Sequence, residues 1–396
     1  MSTLFFVVNQ DPFDGSAHGL YCLRNCRALA DAAPENTVRL VYPGALLGVP
    51  LRASPRDQTV SDDLNRMGLS SPPNLRLHPL PALRRARGRR GVTVNAVYYW
   101  ACLLFLRRRM RPGDTLASAS FAGLTRFLFR RPELERNVRR VYEVHQLTHL
   151  EQGPESKAAR VEQAVFSDAD VLLTTTEVLR DQLQKLVPGK PVTSLGLACG
   201  FDPETVPPPE PDASRPFTLA YIGSLYPEQG VQWLMGAWSE IMERVHAPLR
   251  LKIAGGSPRE VEALRGQTVG REETVQVHGP VAPGKLPRFL QDVDALIIPA
   301  LNRGRMPYVA ITKAYDYPGL NRPILAANLP SIAEVLRPGR EAVLFAPEDA
   351  AGVADALARI VRDADLVRTL TANCRARREE FTWENRSTAW WQAARP

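Results

Sequence analysis

Short apolar runs alternate with amphipathic stretches along the first half of the chain. Leu4–Asn9 and Val171–Thr175 are short, apolar and rich in β-forming residues, which is typical of buried strands. Leu20–Ala33 and Glu177–Leu186 have the spacing of helices with one apolar face. Further strands are predicted at Val38–Tyr42, Thr115–Ala119 and Arg140–Glu143. Because strands that alternate with helices form parallel sheets covered on both faces, the first half predicts an α/β domain.

A proline-rich segment interrupts this alternation. Residues 202–216 read DPETVPPPEPDASRP and contain six prolines. Proline lacks the amide hydrogen and fixes φ, so the run excludes a continuous helix or a central strand. We therefore predict a first domain of residues 1–202 and a semi-rigid linker of residues 203–216.

The alternation restarts after the linker. Phe217–Ile222 and Leu249–Ala254 predict strands, and Val231–Val245 predicts the helix between them. Residues 217–381 therefore predict a second α/β domain. The tail, residues 382–396, contains three tryptophans and is expected to pack back on the first domain. Two α/β domains joined by a hinge leave a cleft between them, where ligands usually bind.

The charge of the chain is basic and unevenly spread. There are 50 Lys+Arg against 42 Asp+Glu, which gives a formal charge of +8. Nine arginines and no acidic residue lie between Arg84 and Arg111. Such a field favours anionic partners, for example nucleotides, phosphorylated lipids or membrane surfaces. We predict no nucleic-acid partner, because the arginines do not belong to a known nucleic-acid-binding module.

The apolar run inside this basic stretch has two interpretations. Val92–Leu106 is shorter than the roughly 20 residues that a membrane-spanning helix needs. It predicts either a helix at an anionic membrane surface, with Tyr98, Tyr99 and Trp100 near the headgroups, or a buried helix flanked by solvated arginines. The N-terminus has no secretory signal, and the five scattered cysteines suit reduced thiols. We predict a cytoplasmic protein, peripheral at the inner face of the membrane if the first interpretation holds.

Four segments of the second half carry a recognisable pattern. They read YIGSLYPEQG (Tyr221–Gly230), LKIAGG (Leu251–Gly256), VHGPVAPGKLPRFLQDVDALIIPA (Val277–Ala300) and KAYDYPGLNRPILAANLPSIAEVL (Lys313–Leu336). In this order they resemble the donor domain of glycosyltransferase family 4. In the first half, Tyr142–Leu147 and Asp168–Leu183 are similar to weaker segments of that family. Four ordered segments are a far more specific signal than one glycine motif.

The resemblance implies a GT-B fold, in which two Rossmann-like domains enclose an interdomain cleft. It implies a retaining glycosyltransferase that needs no metal and no cofactor besides a nucleotide-sugar co-substrate, bound mainly by the second domain. The sequence does not identify the acceptor. A lipid-linked glycan or another precursor of a cell-surface polysaccharide would suit a membrane-facing enzyme.

Glycosyl transfer leaves negative charge on a departing diphosphate, which the enzyme must stabilise. Gly223 and Gly255 each follow a predicted strand. Backbone amides at such a place, with a helix N-terminus behind them, suit a phosphate, although glycines at strand ends also serve simply as turn residues. The resemblance adds donor contacts at Gly15, His278, Gly279 and Val281, of which those after position 277 would lie near the nucleobase.

The sequence departs from the family where two cations usually hold the diphosphate. Ser224 stands where many relatives have Arg, and Gln229 stands where they have Lys. Two arginines of a later loop, Arg303 and Arg305, either serve the phosphates instead or are solvated loop residues. The loss of the usual pair keeps open an alternative function: a catalytically degenerate GT-B protein that binds a nucleotide sugar or a partner without turnover.

The family often has two glutamates with seven residues between them. The first falls at Tyr308 and the second at Asp316, whose carboxylate suits the hydroxyl groups of a donor. Lys313 and Asp316 also resemble the Lys-x-x-Glu element of some relatives, which makes Lys313 a donor-binding candidate. In the family a histidine at the position of His145 approaches the transferred sugar. His145 and Asp316 are therefore the candidate catalytic residues, and no metal ligands are predicted.

Overall fold

Two parallel β-sheets organise the chain, each in its own compact unit. The computed structural model describes residues 2–13, 16–46, 71–83, 95–134, 137–209, 212 and 214–395. The first unit comprises residues 1–175, 179–195 and 383–396, and the second comprises residues 176–178 and 196–382. The structure confirms the predicted pair of α/β arrays.

The first unit contains a seven-stranded sheet in the order β3-β2-β1-β4-β5-β6-β7 among its described residues. The strands are β1 (Thr3–Val7), β2 (Thr37–Leu46), β3 (Leu75–Leu83), β4 (Thr115–Ala119), β5 (Arg139–Val144), β6 (Val171–Thr174) and β7 (Val192–Ser194). The central strand β4 is buried along its whole length, as expected for a parallel sheet covered on both faces.

Helices pack around this sheet. They are α1 (Ala17–Ala32), α2 (Asn95–Arg109), α3 (Ala122–Phe129), α4 (Thr148–Gln152), α5 (Lys157–Asp168), α6 (Glu177–Leu186) and α14 (Trp383–Ala394). Serine side chains cap two of them: Ser16 accepts a hydrogen bond from the Gly19 amide at 3.0 Å, and Ser156 accepts one from the Ala159 amide at 3.1 Å. Each cap satisfies an amide that has no partner within its helix.

Strand β3 was not predicted, because its sequence contains two prolines. Pro79 and Pro81 lie in the run LRLHPLPAL, and proline within an apolar run argues against a central strand. Among the described strands, β3 lies at the edge of the sheet and pairs with β2. An edge strand tolerates proline since one side of its backbone faces no neighbouring strand.

The basic stretch is partly described. Residues 84–94 lie outside the described residues, and Asn95–Arg109 form α2. One face of α2 is buried: Tyr98 is 1% exposed, and its hydroxyl donates a 2.6 Å hydrogen bond to the Val8 carbonyl. The opposite face exposes Trp100 and Leu104, each at 52%. Tyr98, expected near the headgroups under the membrane interpretation, thus lies in the core, as the buried-helix interpretation predicts, and binding of α2 to a membrane stays a prediction. None of the described helices has the length and apolar character needed to cross a bilayer.

The second unit contains a six-stranded parallel sheet in the order β10-β9-β8-β11-β12-β13 among its described residues. Its strands are β8 (Phe217–Ile222), β9 (Leu249–Ala254), β10 (Val275–His278), β11 (Ala295–Ile298), β12 (Ile324–Ala327) and β13 (Ala342–Phe345). Its helices are α7 (Val231–Val245), α8 (Pro258–Gly266), α9 (Leu286–Phe289), α10 (Thr312–Asp316), α11 (Pro330–Ala333), α12 (Ala350–Arg362) and α13 (Ala364–Arg378).

The proline-rich segment that we predicted as a linker is part of the second unit. The described part of residues 203–216 belongs to the second unit, which begins already at Gly196. The Asn321 side chain donates hydrogen bonds to the carbonyls of Pro203 and Val206, at 2.7 and 2.6 Å. Asn321 thus ties two carbonyls of this segment to the second unit, satisfying backbone acceptors that would otherwise be underused. The proline run is therefore anchored to one unit.

The tail forms α14, which packs against α1 of the first unit. Trp390 is fully buried in the hydrophobic core of that unit. Trp391 donates a 2.9 Å hydrogen bond from its indole nitrogen to the Leu29 carbonyl. The C-terminal helix is thus an integral part of the first unit.

Candidate functional site

The carboxyl ends of the central strands meet at one edge of the second unit's sheet. Strands β8 and β11 are neighbours there although they are not consecutive in sequence, so the sheet changes direction of growth between them. Such switch points are where open α/β sheets bind ligands. Gly223 follows β8 and Gly255 follows β9, and both lie at this edge.

The backbone amides of these two glycines bond to neighbouring strand ends, and their contact with a donor stays a prediction. The Gly223 amide donates to the Ala254 carbonyl at 2.9 Å, and the Gly255 amide donates to the Gly279 carbonyl at 3.2 Å. Both amides thus tie neighbouring strand ends together. Gly255 has φ +123°, and a Cβ there would lie 1.9 Å from the Gly223 carbonyl oxygen. The close approach of the strand ends therefore requires glycine.

Lys313 places a buried cation beside Gly223. Lys313 is 9% exposed, and its Nζ donates a 2.6 Å hydrogen bond to Gln229 Oε1. A Cβ on Gly223 would lie 2.9 Å from this Nζ, and the Tyr221 ring lies 4.9 Å from it. Burial lowers the pKa of Lys313 to about 8, and the Asp316 carboxylate opposes part of that shift. The ammonium is held in a tight, poorly solvated position.

Ser224 and Gln229, the two departures from the family pattern, both belong to this cluster. The Tyr221 hydroxyl donates a short hydrogen bond to the Ser224 carbonyl and lies 3.4 Å from Gln229 Oε1. Gln229 is 9% exposed and accepts the hydrogen bond of Lys313. The position that holds a cation in many relatives thus holds an amide that binds a cation from another helix.

Helix α10 is fixed to the end of β8 next to this cluster. The Tyr317 hydroxyl accepts a hydrogen bond from the Ile222 amide at 2.9 Å and donates one to the Ile222 carbonyl at 3.0 Å. Asp316 is half-buried, and its Oδ1 accepts a 2.7 Å hydrogen bond from the Gly200 amide. The predicted pair Lys313 and Asp316 is therefore brought to the strand edge on one short helix.

The predicted residues of the loop between β11 and α10 lie in different environments. Tyr308 is 7% exposed, and its carbonyl accepts a 2.6 Å hydrogen bond from the Thr176 hydroxyl. Arg303 and Arg305 are exposed, and Arg303 forms an ion pair with Glu348. These contacts favour the solvated interpretation of Arg303, because its guanidinium already has a surface partner.

The predicted base-binding residues lie at the end of β10. His278 is half-buried beside the Phe289 ring, whose centroid lies 5.4 Å away. Burial lowers the pKa of His278, and the charge of Lys252 adds to this effect. Among the described residues, the buried His278 Nε2 has no hydrogen-bond partner. Gly279 and Val281 are half-buried in the same loop.

A second cluster lies in the first unit, around His145. This histidine directly follows β5, and its ring contacts the rings of Tyr21 and His18 with centroids 4.8 and 5.5 Å away. His18 also contacts Phe121, which follows β4, at 5.2 Å. Gly15, the other predicted residue of this region, lies outside the described residues.

Glu143 anchors this cluster and was not predicted. It is 1% exposed, and its carboxylate accepts hydrogen bonds from Tyr21 and from the Trp390 indole, the latter at 2.6 Å. Burial opposes its ionisation, but Arg386 and His145 outweigh this effect, so the pKa of Glu143 falls to about 2. A carboxylate in the buried half of strand β5, RRVYEV, is a signal that the sequence offers, because a buried charge needs a partner.

Comparisons with known proteins agree with this architecture. A family model described as glycosyl transferases group 1 matches residues 216–363. A D-inositol 3-phosphate glycosyltransferase of Actinosynnema mirum is 25% identical over 241 residues, covering 56% of each chain. A glycogen synthase of Mycobacterium tuberculosis H37Rv is 24% identical over 235 residues, covering 58% of this chain and 55% of the relative. The alignments thus span a little over half the length of these curated relatives.

Solved structures resemble the chain over its whole length. Sucrose-phosphate synthase from Thermosynechococcus elongatus has a TM-score of 0.72 at 18% identity, covering 99% of this chain and 98% of that one. Anabaena HepE in complex with UDP-glucose has a TM-score of 0.70 at 13% identity, covering 100% of both chains. The chain therefore has the GT-B fold, and its residues 216–363, less than half of the chain, match the family model of glycosyl transferases group 1.

Proposed function

We propose that this protein is a retaining glycosyltransferase that moves a sugar from a nucleotide-sugar donor to an acceptor. The buried ammonium of Lys313, held against Gly223 and Gln229 at the strand edge, carries this proposal. A departing diphosphate needs a fixed positive charge, and a cation in a poorly solvated site acts more strongly than one in water. HepE, a structural neighbour, was solved with UDP-glucose, which supports a nucleotide-sugar donor.

Lys313 takes over the role of the missing Arg and Lys. Its Nζ reaches Gln229, the position where many relatives carry the lysine itself. The ammonium would therefore meet the diphosphate at nearly the same place, delivered from α10 instead of from the loop after β8. Asp316, on the same helix, would accept hydrogen bonds from donor hydroxyls with its carboxylate, which also binds the Gly200 amide.

Other predicted donor-binding residues lie in the same unit. His278, whose buried Nε2 has no hydrogen-bond partner among the described residues, and the adjacent Gly279 and Val281 would lie beside the nucleobase. His145, in the first unit, keeps the role that the resemblance implies, contact with the transferred sugar. The reaction needs no metal ion under this proposal, because the protein's own cation stabilises the diphosphate.

One observation favours a second function, the binding of a nucleotide sugar without turnover. Tyr308 occupies the position of the first family glutamate, and its side chain is buried. A buried phenol cannot replace a carboxylate as an anion. A protein with Lys313 and without that carboxylate would still bind the diphosphate of a donor.

A donor screen separates these two functions. Nucleotide sugars that bind the folded protein raise its melting temperature when present well above their Kd. We expect one class of donor to stabilise the protein, and the same donor to be hydrolysed or transferred in the presence of EDTA. Donor binding without any turnover supports the second function. Turnover that is lost in EDTA and restored by manganese or magnesium would contradict the metal-independent mechanism.

Asp316→Asn tests the carboxylate of α10. Asparagine retains an oxygen for the Gly200 amide, so the fold stays intact, whereas the charge that favours donor hydroxyls is lost. We expect the Kd of the donor or the turnover to worsen by at least about tenfold, or about 1.4 kcal/mol. Asp355→Asn, at an exposed position of α12, is the matched control and should leave both unchanged. Wild-type activity in Asp316→Asn would mean that the carboxylate only supports the backbone.

Lys313→Met tests how much the burial of the Lys313 ammonium destabilises the folded protein. The pKa of Lys313 is about 8 in the folded protein and 10.5 in the unfolded chain. Between pH 8 and pH 10.5 the unfolded chain therefore keeps the proton of Lys313, whereas the folded protein loses it. At pH 7 the folded state carries the whole penalty, about 3 kcal/mol, and stability rises as the pH increases from about 8 towards 10.5. We expect Lys313→Met to raise the melting temperature at pH 7 by a few degrees, by less at pH 10, and to abolish donor binding.

Lys252→Met is the control for that experiment. Lys252 is also buried, at 7% exposure, but its Nζ forms a 2.5 Å ion pair with Asp292. Methionine would lose the hydrogen bonds of this ammonium to Asp292 and to the Phe289 carbonyl, so this variant should melt at a lower temperature. A lower melting temperature in Lys313→Met as well would show that Lys313 is held for stability and not for a ligand.

We also propose that α2 binds an anionic membrane, which would suit a lipid-linked acceptor. Its exposed face carries Val97, Trp100 and Leu104, with the exposed Arg107 and Arg108 one turn further along. Apolar side chains beside arginines suit the boundary between headgroups and acyl chains. The chain provides no acidic residue between Arg84 and Arg111 to repel anionic lipid.

Liposome co-sedimentation tests this surface. Binding to vesicles with anionic lipid should exceed binding to neutral vesicles and weaken with salt, because exposed charges are screened. Replacing Arg107, Arg108 and Arg109 with glutamine should reduce it. A control that replaces Arg259, Arg288 and Arg340, exposed arginines of the second unit, removes the same charge and should not. Equal loss in both variants would point to net charge alone.

A further inference from the structure

Five donors from three parts of the first unit converge on the buried carboxylate of Glu143. From this convergence, and given the proposed transfer reaction, we infer that Glu143 is a positioning residue that fixes the orientation and tautomer of His145. We infer further that Arg386, from the C-terminal helix α14, is the counter-charge that keeps Glu143 ionised.

The two carboxylate oxygens of Glu143 serve different partners. Oε1 accepts hydrogen bonds from the Trp390 indole at 2.6 Å and from the Asn25 side chain at 3.4 Å. Oε2 accepts a hydrogen bond from the Tyr21 hydroxyl and lies 3.3 Å from Arg386 Nη2 and 3.4 Å from His145 Nε2. Oε1 is thus held by the scaffold, whereas Oε2 faces the histidine.

Arg386 is buried almost as completely as Glu143. It is 4% exposed, and it also donates hydrogen bonds to Asn25 Oδ1 at 2.5 Å and to the Tyr21 hydroxyl at 2.6 Å. Burial raises the pKa of Tyr21 well above its usual value, so the phenol keeps its proton. The cluster thus contains one negative and one positive charge, which satisfies the requirement that buried charges be paired.

The contact with Glu143 defines the chemistry of the imidazole. A neutral histidine donates from one ring nitrogen and accepts at the other, and a carboxylate partner selects the nitrogen that carries the proton. With Nε2 donating to Glu143, Nδ1 holds the lone pair and accepts a hydrogen bond from a hydroxyl of the reacting sugar. The Tyr21 ring, which lies edge-on to the imidazole with centroids 4.8 Å apart, holds its orientation.

A purely structural ion pair would not need His145. Buried pairs are often replaced by apolar residues without loss of stability, whereas removal of one partner leaves an uncompensated charge. Glu143→Gln alone therefore tests both roles together and is expected to lower stability. The double variant Glu143→Gln/Arg386→Met removes both charges, preserves neutrality and leaves His145 without its carboxylate.

The experiment combines kinetics with ¹⁵N NMR of the histidine side chains, using the full chain. We expect the wild-type protein to show His145 as the Nε2–H tautomer, identified by loss of its signal in His145→Gln. In the double variant we expect mixed tautomers, a fall in kcat of at least about tenfold and an unchanged KM for the donor. The KM is expected to stay unchanged because the residues proposed to hold the donor's diphosphate and nucleobase lie in the second unit.

Glu162→Gln is the matched control. Glu162 is 4% exposed in the same unit, and it accepts hydrogen bonds from the Thr148 amide and hydroxyl, both at 2.8 Å. This variant should change neither the His145 tautomer nor kcat. Wild-type kcat and tautomer in the folded double variant would overturn the inference and leave Glu143 as a structural charge, as would an Nδ1–H tautomer in the wild-type protein. Absence of transfer by the wild-type protein would refute the proposed function, while the NMR comparison would still decide the link between Glu143 and His145.

Discussion

A buried ammonium group with a neutral hydrogen-bond partner sets the character of the second unit. Lys313 bonds to the amide oxygen of Gln229, and burial lowers its pKa to about 8. Packing alone does not favour such an arrangement, because an apolar side chain of similar length would avoid the desolvation cost. The strand ends, the glycines between them and the attachment of α10 through Tyr317 all converge on this one cation. An anionic ligand is the partner that would offset its cost.

In the first unit, by contrast, the buried charge has a charged partner inside the protein. Glu143 lies at the carboxyl end of β5, and its pKa is lowered to about 2 because Arg386, His145 and Tyr21 surround it. Its charge is neutralised inside the protein and needs no ligand. The two units thus differ in how a buried charge is treated where parallel strands end: Glu143 is paired with Arg386 inside the protein, whereas Lys313 is proposed to bind an anionic ligand.

The structure shows the contacts made by Ser224 and Gln229, the two departures from the family pattern. Compared with the family pattern one position at a time, Ser224 and Gln229 indicate the loss of a phosphate-binding site. In space, Gln229 binds the ammonium of Lys313, so under the proposed function a cation from α10 serves the position where many relatives carry a lysine. Arg303, one of the two arginines predicted as alternatives, is exposed and paired with Glu348.

The sequence by itself determined the two α/β arrays, because alternating apolar runs and amphipathic stretches show, within each short segment, which side chains are buried. Strands such as Phe217–Ile222 and helices such as Val231–Val245 have the predicted bounds. The tertiary structure alone decided that β3, with its prolines, forms an edge and that the proline run joins the second unit. It also decided the pairing of Glu143 with Arg386, which are 243 positions apart. Periodicity shows which side chains are buried, but the order of strands in a sheet selects their neighbours, and no local pattern encodes that order.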